Sequence, residues 1–327
     1  MEFSEMIEIL KVIECPTAEK FLECLSPLSD YFSEPYLPYR WIFRGHADHR
    51  FELVPTALRT SPLPLLRSGF LGWRRELRET NAQQLEAEFD TLKEFFSVAD
   101  TNGLLLPEDS QSLRILLFDF DNDLSSHWGG ETTHWPPYQI FSLMGLAQHY
   151  GVATRLLDWT RNALVAAYFA ADEAAQWQLG EKQPPLGADR LGVWAMSKVL
   201  FDIHTGIVSI ERRDLPIRLV TAPSAGNPNL YAQEGLFTLR TQKEFKLADS
   251  VDRRPLDQIV NEEFDFREHV PPQINGPFFY HFTLPLSESR TLLRLLAKHG
   301  VSGARLFPGF RGAAQALVEQ SRWDGLP

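Results

Sequence analysis

The sequence predicts an α+β fold, a central mixed or antiparallel sheet flanked by helices. Helical and strand-like segments follow one another without the regular βαβ alternation of a doubly wound parallel sheet. Runs rich in aromatic and β-branched residues, WIF at 41–43, LGVWAMSKVL at 191–200 and FFYHFTLPL at 278–286, read as strands drawn from distant parts of the chain. The third observation is the stretch QHYGVATRLLDWTRNALVAAYFAA at 148–171, where a short strand carrying polar groups runs straight into a helix that is apolar almost all round.

Residues 1–34 carry two amphipathic segments separated by Pro16, and Thr17 is placed to cap the second, where Phe21, Leu22 and Leu25 form a helical stripe. They make an N-terminal helical lead-in to one domain over 35–327. The run at 41–43 is its first strand, with Arg44 and Gly45 at the end. From 67 to 91 the composition turns charged, with Glu76, Glu79, Glu86 and Glu88 among arginines and leucines, as in an exposed amphipathic helix; LKEFFSVAD at 92–100 makes a second helix. Gly, Pro, Thr and Asp crowd the region around 103–138, which reads as an irregular insertion. Residues 140–149 are helical and deliver Gln148 and His149 to the central stretch.

There Gly151 permits the positive φ of a tight turn, 152–159 form a strand, and Thr160 is an N-cap candidate. Leu164, Ala167, Tyr168 and Ala171 recur at helical spacing, widened by Val165 and Phe169, so the helix is expected to be buried scaffold. A Gly/Pro-containing loop leads to the strand within 191–200. ERRDLPIRLVTAP at 211–223 is strand-like, and NPNLYAQEGLFTLRT at 227–241 passes from turn residues into apolar Leu236, Phe237 and Leu239. The strand within 278–286 carries Thr283 near its end. The helix of 287–300 is closed by Gly300, and AAQALVEQ at 313–320 is a short last helix.

With 327 residues, 44% of them hydrophobic, the chain has material for a sizeable core. Its net charge of -11 argues against a surface that is basic overall and built to coat nucleic acid or anionic lipid. Two cysteines, Cys15 and Cys24, cannot make a disulfide scaffold and fit a reducing compartment. The acidic, amphipathic beginning does not read as a signal peptide, and no run approaches the roughly 18 to 20 apolar residues of a membrane helix. A cytoplasmic protein with no membrane association is expected.

Phosphate loop, dinucleotide fingerprint, nucleophile elbow and His-Glu-x-x-His are all missing from the sequence. His46 and His49 form a His-x-x-His pair with no further ligands at metal spacing, so no metal is expected. Three clusters remain. Arg44 beside Gly45 offers a planar fork of donors for phosphate or carboxylate, or an ordinary partner for a neighbouring acid. In the second cluster, Gln148, His149, Thr154, Arg155, Asp158, Trp159 and Thr160 combine a base, an acid and a ring able to stack. The same residues serve equally as an Arg155–Asp158 pair fastening strand to helix, with Trp159 in the core. The third, Tyr231, Gln233 and Glu234, sets a carboxylate before a strand, either to hold a ribose hydroxyl or to sit in solvent at a strand edge.

FRG at 43–45, the stretch 148–171, AQEGLFTLR at 232–240 and LFPGFRG at 306–312 together resemble the FRG-domain family, over most of the chain and in order. Two positions depart from its pattern: Ala153 stands where a proline is usual, and Gly309 where an acid is common. The resemblance implies an effector of bacterial or phage-related setting, a toxin or phage-defence protein. The motif order is also similar to that of ADP-ribosyltransferases. These place an aromatic-Arg-Gly on a first strand, a Ser/Thr-bearing strand running into an Ala/Phe-rich helix, and a Gln/Glu element on a later strand, in a sheet that is split.

That likeness implies NAD as substrate, used for ADP-ribosyl transfer or hydrolysis. Arg44, His149, Asp158 and Glu234 are then the catalytic candidates. Gly45, Gln148, Thr154, Arg155, Trp159, Thr160, Tyr231 and Gln233 are the binding candidates. A protein or nucleic acid would be the acceptor, and a regulatory protein a further partner. Two other classes fit the same residues. A metal-independent nuclease would use His149 as base and Arg155 as phosphate clamp, with Arg212, Arg213 and Arg218 positioning the strand. A non-catalytic module would bind a nucleotide or partner through the same cleft.

Overall fold

The computed structural model of the chain describes residues 9–32, 41–118, 135–201, 217–221, 228–241, 246–263 and 277–323. Its strands are β1 (Leu10–Glu14), β2 (Trp41–His46), β3 (Leu65–Arg67), β4 (Trp73–Arg75), β5 (Leu156–Thr160), β6 (Arg190–Ser197), β7 (Ile217–Val220), β8 (Gly235–Arg240) and β9 (Phe279–Pro285). Seven of them form one sheet in the order β1-β9-β6-β2-β5-β8-β7, and β3 pairs with β4 separately. The β1–β9 pair is parallel and the other pairs of the large sheet are antiparallel, so the fold is α+β with a mixed sheet, as predicted.

The helices are α1 (Ala18–Leu25), α2 (Asn81–Thr101), α3 (Gln111–Phe118), α4 (Phe141–His149), α5 (Ala163–Gln178), α6 (Pro228–Ala232), α7 (Leu256–Glu263), α8 (Ser289–Lys298), α9 (Gly303–Leu306) and α10 (Phe310–Trp323). Strand alternation sorts the core onto two faces. Phe43 of β2, Val193 and Ala195 of β6, and Phe282 and Leu284 of β9 pack with α1, α5 and α8. Ile42, Trp194, Met196 and Phe279 point the other way, toward Leu256, Ile259 and Val260 of α7. Each of the valine, leucine, isoleucine, phenylalanine and methionine side chains among them contributes about 1.5 to 3 kcal/mol when fully buried.

The alanines explain why α5 can lie so close to the sheet. Ala163, Ala166, Ala167, Ala170, Ala171, Ala174 and Ala175 are all buried. A Cβ at Gly45 would stand 1.9 Å from the Ala166 carbonyl oxygen, so the glycine of β2 is a packing requirement.

Several local expectations change. The beginning of the chain is not wholly helical: α1 forms with Thr17 as its cap, but β1 adds in parallel to β9, where the pairing satisfies its backbone groups. The charged region 67–91 is partly a hairpin, β3 and β4, turned by Gly69 and Gly72 at positive φ. A Thr80–Gln83 capping box then starts α2, which runs unbroken through LKEFFSVAD because no residue interrupts its ladder. Within the expected irregular insertion, α3 is regular, and residues 119–134 lie outside the described residues. So do 1–8, Arg212 and Arg213. The cap of α5 is Asn162, whose side chain accepts from Leu164 N at 3.0 Å, two residues past the expected Thr160.

Candidate functional site

Strands β2 and β5 share a single paired position, Phe43 opposite Thr160, and part beyond it. A side chain bridges the gap that backbone ladder bonds would otherwise fill. Arg44 donates from Nη1 to the Asp158 carbonyl oxygen at 2.8 Å and lies 3.5 Å from Asp158 Oδ2; its Nε donates to His46 Nε2 at 2.9 Å. Burial pulls the Arg44 guanidinium below its usual range and Asp158 opposes that shift.

Over this junction lies a cleft of about 250 Å³. Phe43, Phe169, Leu230, Leu236 and Phe237 give it apolar walls, and Arg44, His149, Asp158, Thr160 and Gln233 bring polar groups. The mixture of apolar walls with a few convergent polar groups is that of a small-molecule site. Asp158 is 55% exposed at its side chain and is aimed by a relay. Gln148 Nε2 donates to Asp158 Oδ2 at 2.9 Å, Thr154 Oγ1 donates to Gln148 Oε1 at 2.7 Å, and Leu156 N donates to Thr154 Oγ1. Gln148 and Thr154 therefore position the carboxylate and do not line the cleft themselves.

His149 ends α4 with its Nε2 3.0 Å from Asn229 Nδ2. An amide nitrogen can only donate, so that ring nitrogen accepts and a neutral ring carries its proton on Nδ1. Burial lowers the His149 pKa, Asp158 works against the shift, and Arg311 adds to it, which favours the neutral ring. Arg311 is exposed, with its guanidinium 5.6 Å over the Phe307 ring, and Phe307 stands edge-on to Phe169 of the cleft wall.

The remaining candidates are placed as follows. Thr160 Oγ1 donates to the Gln233 carbonyl and accepts from Asn162 N, which ties β5, α5 and the approach to β8 together. Gln233 lines the cleft with its side chain anchored to the Leu306 carbonyl. Glu234 sits outside the lining. Its φ of 50° turns the chain into β8, its carbonyl accepts from Arg161 N, and its carboxylate accepts from Asn162 Nδ2 at 3.1 Å.

Three expected roles do not fit. Arg155 is 1% exposed and donates to Glu88 Oε2 at 2.5 Å beneath the sheet, so it is neither paired with Asp158 nor available as a phosphate clamp. Trp159 borders the cleft, but its indole is buried in the core and donates to Thr238 Oγ1 at 2.9 Å, which removes it as a stacking platform. Tyr231, 75% exposed on α6, does not line the cleft either.

Phe169, Asn229, Phe307 and Arg311 were missed from sequence. Phe169 looked like one more member of a buried stripe, yet it is 38% exposed because the cleft opens beside it. The only signal for the others was the LFPGFRG string itself and the asparagine before the AQEG motif.

Among the described residues no group of three or more His, Cys, Asp or Glu is placed to hold a metal ion, and no helix is long and apolar enough to cross a membrane. His46 is occupied by Arg44, and His49 lies instead beside Asp48 and Asp189, so the His-x-x-His pair does not converge. No curated protein and no solved structure matches the chain. The family model described as the FRG domain matches residues 39–178, from just before β2 to the end of α5. That span holds Arg44, the Gln148–Asp158 relay and Phe169, while Gln233 and the β8 wall come from beyond it. By this match the chain contains an FRG domain, over residues 39–178, and the parted β2–β5 junction lies within it.

Proposed function

We propose that the cleft binds NAD and that the protein breaks the bond between nicotinamide and ribose, as an ADP-ribosyltransferase or NAD glycohydrolase. The observation that carries this reading is the meeting of Arg44 and Asp158 at the parted strands, over an apolar cleft of about 250 Å³. That volume suits the nicotinamide-ribose half, with the rings of Phe43, Phe169 and Phe237 as its bed. The pyrophosphate would leave through the mouth toward Arg311, whose guanidinium carries positive charge there.

Asp158 is the working carboxylate on this reading, in place of Glu234. As the C–N bond breaks, its electron pair leaves with nicotinamide, and positive charge grows on the ribose ring beside Asp158. Water, or an acceptor hydroxyl or amine, then forms the new bond to the ribose carbon and gives its proton to the carboxylate or to solvent. His149 is not the base at Nε2, since Asn229 occupies that lone pair. The role in cells would be that of a toxin or phage-defence effector that consumes NAD or modifies a macromolecule.

The test is chromatographic detection of nicotinamide and ADP-ribose after incubating the purified protein with NAD. Release by wild type, loss in Asp158→Asn with the fold intact, and retention in Glu234→Ala are expected. Absence of both product formation and NAD binding in the wild type would sink the proposal.

A further inference from the structure

On the face of the sheet opposite α5 lies a second cavity, of about 270 Å³, sharing no lining residue with the cleft. His46, Phe51, Glu52, Val54, Leu58, Arg59, Thr60, Ser61, Pro62 and Arg253 surround it. Its charge balance is unusual. Arg59 is half-buried, and its only hydrogen bond among the described residues runs from Nε to the Val54 carbonyl at 3.2 Å. Arg253 is also half-buried, and its head is held by neutral acceptors: the Leu58 carbonyl at 2.8 Å, the Arg78 carbonyl at 2.7 Å and Gln84 Oε1 at 3.3 Å. Neither arginine has a carboxylate within ion-pair distance among the described residues; the one acid lining the cavity, Glu52, is exposed.

His46 adds a donor. It is 6% exposed, and because its Nε2 accepts from Arg44, the neutral ring carries its proton on Nδ1. That nitrogen has no partner among the described residues at full hydrogen-bond geometry, and a backbone hydrogen bond with Phe51 is the smallest of the influences on the ring's pKa. Half-buried guanidinium groups without counter-charge are costly, and a buried N–H short of full hydrogen-bond geometry beside them is a second cost of the same sign. A bound anion relieves both.

We propose that this cavity is an anion-binding site for a tetrahedral oxyanion, the phosphate group of a small molecule or free phosphate. Arg59 and Arg253 supply the charge, and the Thr60 and Ser61 hydroxyls at the lip supply further donors. Phe51, its ring edge-on to His46 at 6.0 Å, offers an apolar surface to the carrier of the phosphate. The site stands whether or not the cleft on the other face uses NAD.

The test is calorimetric titration of the full chain with inorganic phosphate and, separately, with ribose 5-phosphate at constant ionic strength. One equivalent is expected to bind, and Arg59→Gln to weaken it by about tenfold or more, as loss of a charge-assisted hydrogen bond does. Tighter binding of ribose 5-phosphate identifies a carried phosphate, and equal binding identifies the free ion. Thr60→Glu, at an exposed position, places a carboxylate at the lip and must weaken binding too; it stands in for Arg59→Gln if that variant does not fold. Arg311→Gln, at the mouth of the other cleft, must leave the affinity unchanged. No binding by wild type at ~10 mM ligand, or wild-type affinity in Arg59→Gln and Thr60→Glu, overturns the proposal, as does loss of binding in Arg311→Gln alone.

Discussion

Arg44 holds Asp158 by its main chain more closely than by its side chain: Nη1 is 2.8 Å from the carbonyl oxygen and 3.5 Å from Oδ2. The arginine of the FRG motif is thus a structural clasp across β2 and β5 as well as a charge in the cleft. The two roles separate in a double-mutant cycle. Arg44→Ala is expected to cost about 2 kcal/mol in urea unfolding, the usual loss for a hydrogen bond from a charged donor. Coupling to Asp158→Ala is expected at only about 0.5 kcal/mol, because that carboxylate is mostly solvated. A coupling as large as the single-mutant effect would mean that the ion pair, not the carbonyl bond, closes the junction.

Gly45 makes a sharper demand. Its neighbour across the interface is backbone, not a flexible side chain, and a methyl group there would lie 1.9 Å from the Ala166 oxygen. Gly45→Ala must push α5 away from β2, and the expected loss is about 3 kcal/mol or more, at the upper end for overpacking. Thermal unfolding measures it. Wild-type stability in this variant would show that α5 can shift freely, contrary to the close packing of its alanines.

Glu88 and Arg155 belong to the scaffold. Glu88 accepts from Gln84 Nε2 at 2.6 Å, Trp135 Nε1 at 2.9 Å and Arg155 Nε at 2.5 Å, all in the interior. Glu88→Ala takes the carboxylate away from a buried guanidinium and is expected to cost about 3 to 5 kcal/mol. Whatever activity the protein has should fall in Arg155→Met only in proportion to the folded fraction, as judged by circular dichroism on the same samples. A fully folded, inactive Arg155→Met would return that residue to the site.

How much of this was written in the sequence depends on the length scale of the cause. The strand-then-helix order of the central stretch survives because local periodicity and turn residues decide it, although the strand is Leu156–Thr160 and not 152–159, and the Arg44–Gly45 pair stands out from chemistry alone. Asp158 against Glu234 was not decidable. Both are exposed carboxylates near an α5 terminus, and only the parting of β2 from β5 shows which one faces Arg44. Arg155 misled for a related reason: it stands three residues before Asp158, but its true partner, Glu88, comes from a helix 67 positions away. Likewise β1 has no strong pattern of its own and becomes a strand because β9 offers an edge.

The buried histidines give the protein a pH dependence whose sign is fixed. His281 stacks on Trp194 at 4.1 Å, and its Nε2 has no hydrogen-bond partner among the described residues. Burial, with a smaller push from His49, lowers its pKa from 6.5 to about 3. In the unfolded chain the ring takes a proton below pH about 6.5, which the folded protein refuses until about pH 3. Stability from this group is therefore complete above pH 6.5 and is lost progressively as the pH falls toward 3. At pH 5 the loss amounts to about 2 kcal/mol. His46, lowered chiefly by burial and then by Arg44, acts in the same direction. His281→Phe keeps a ring on Trp194 and cannot titrate. Between pH 7.5 and pH 5 its unfolding free energy is expected to drop by about 2 kcal/mol less than that of wild type, in urea titrations at the two pH values. Equal drops in the two proteins would mean that His281 is protonated in the folded state, and that the stacked, unpartnered ring is not held neutral by its burial.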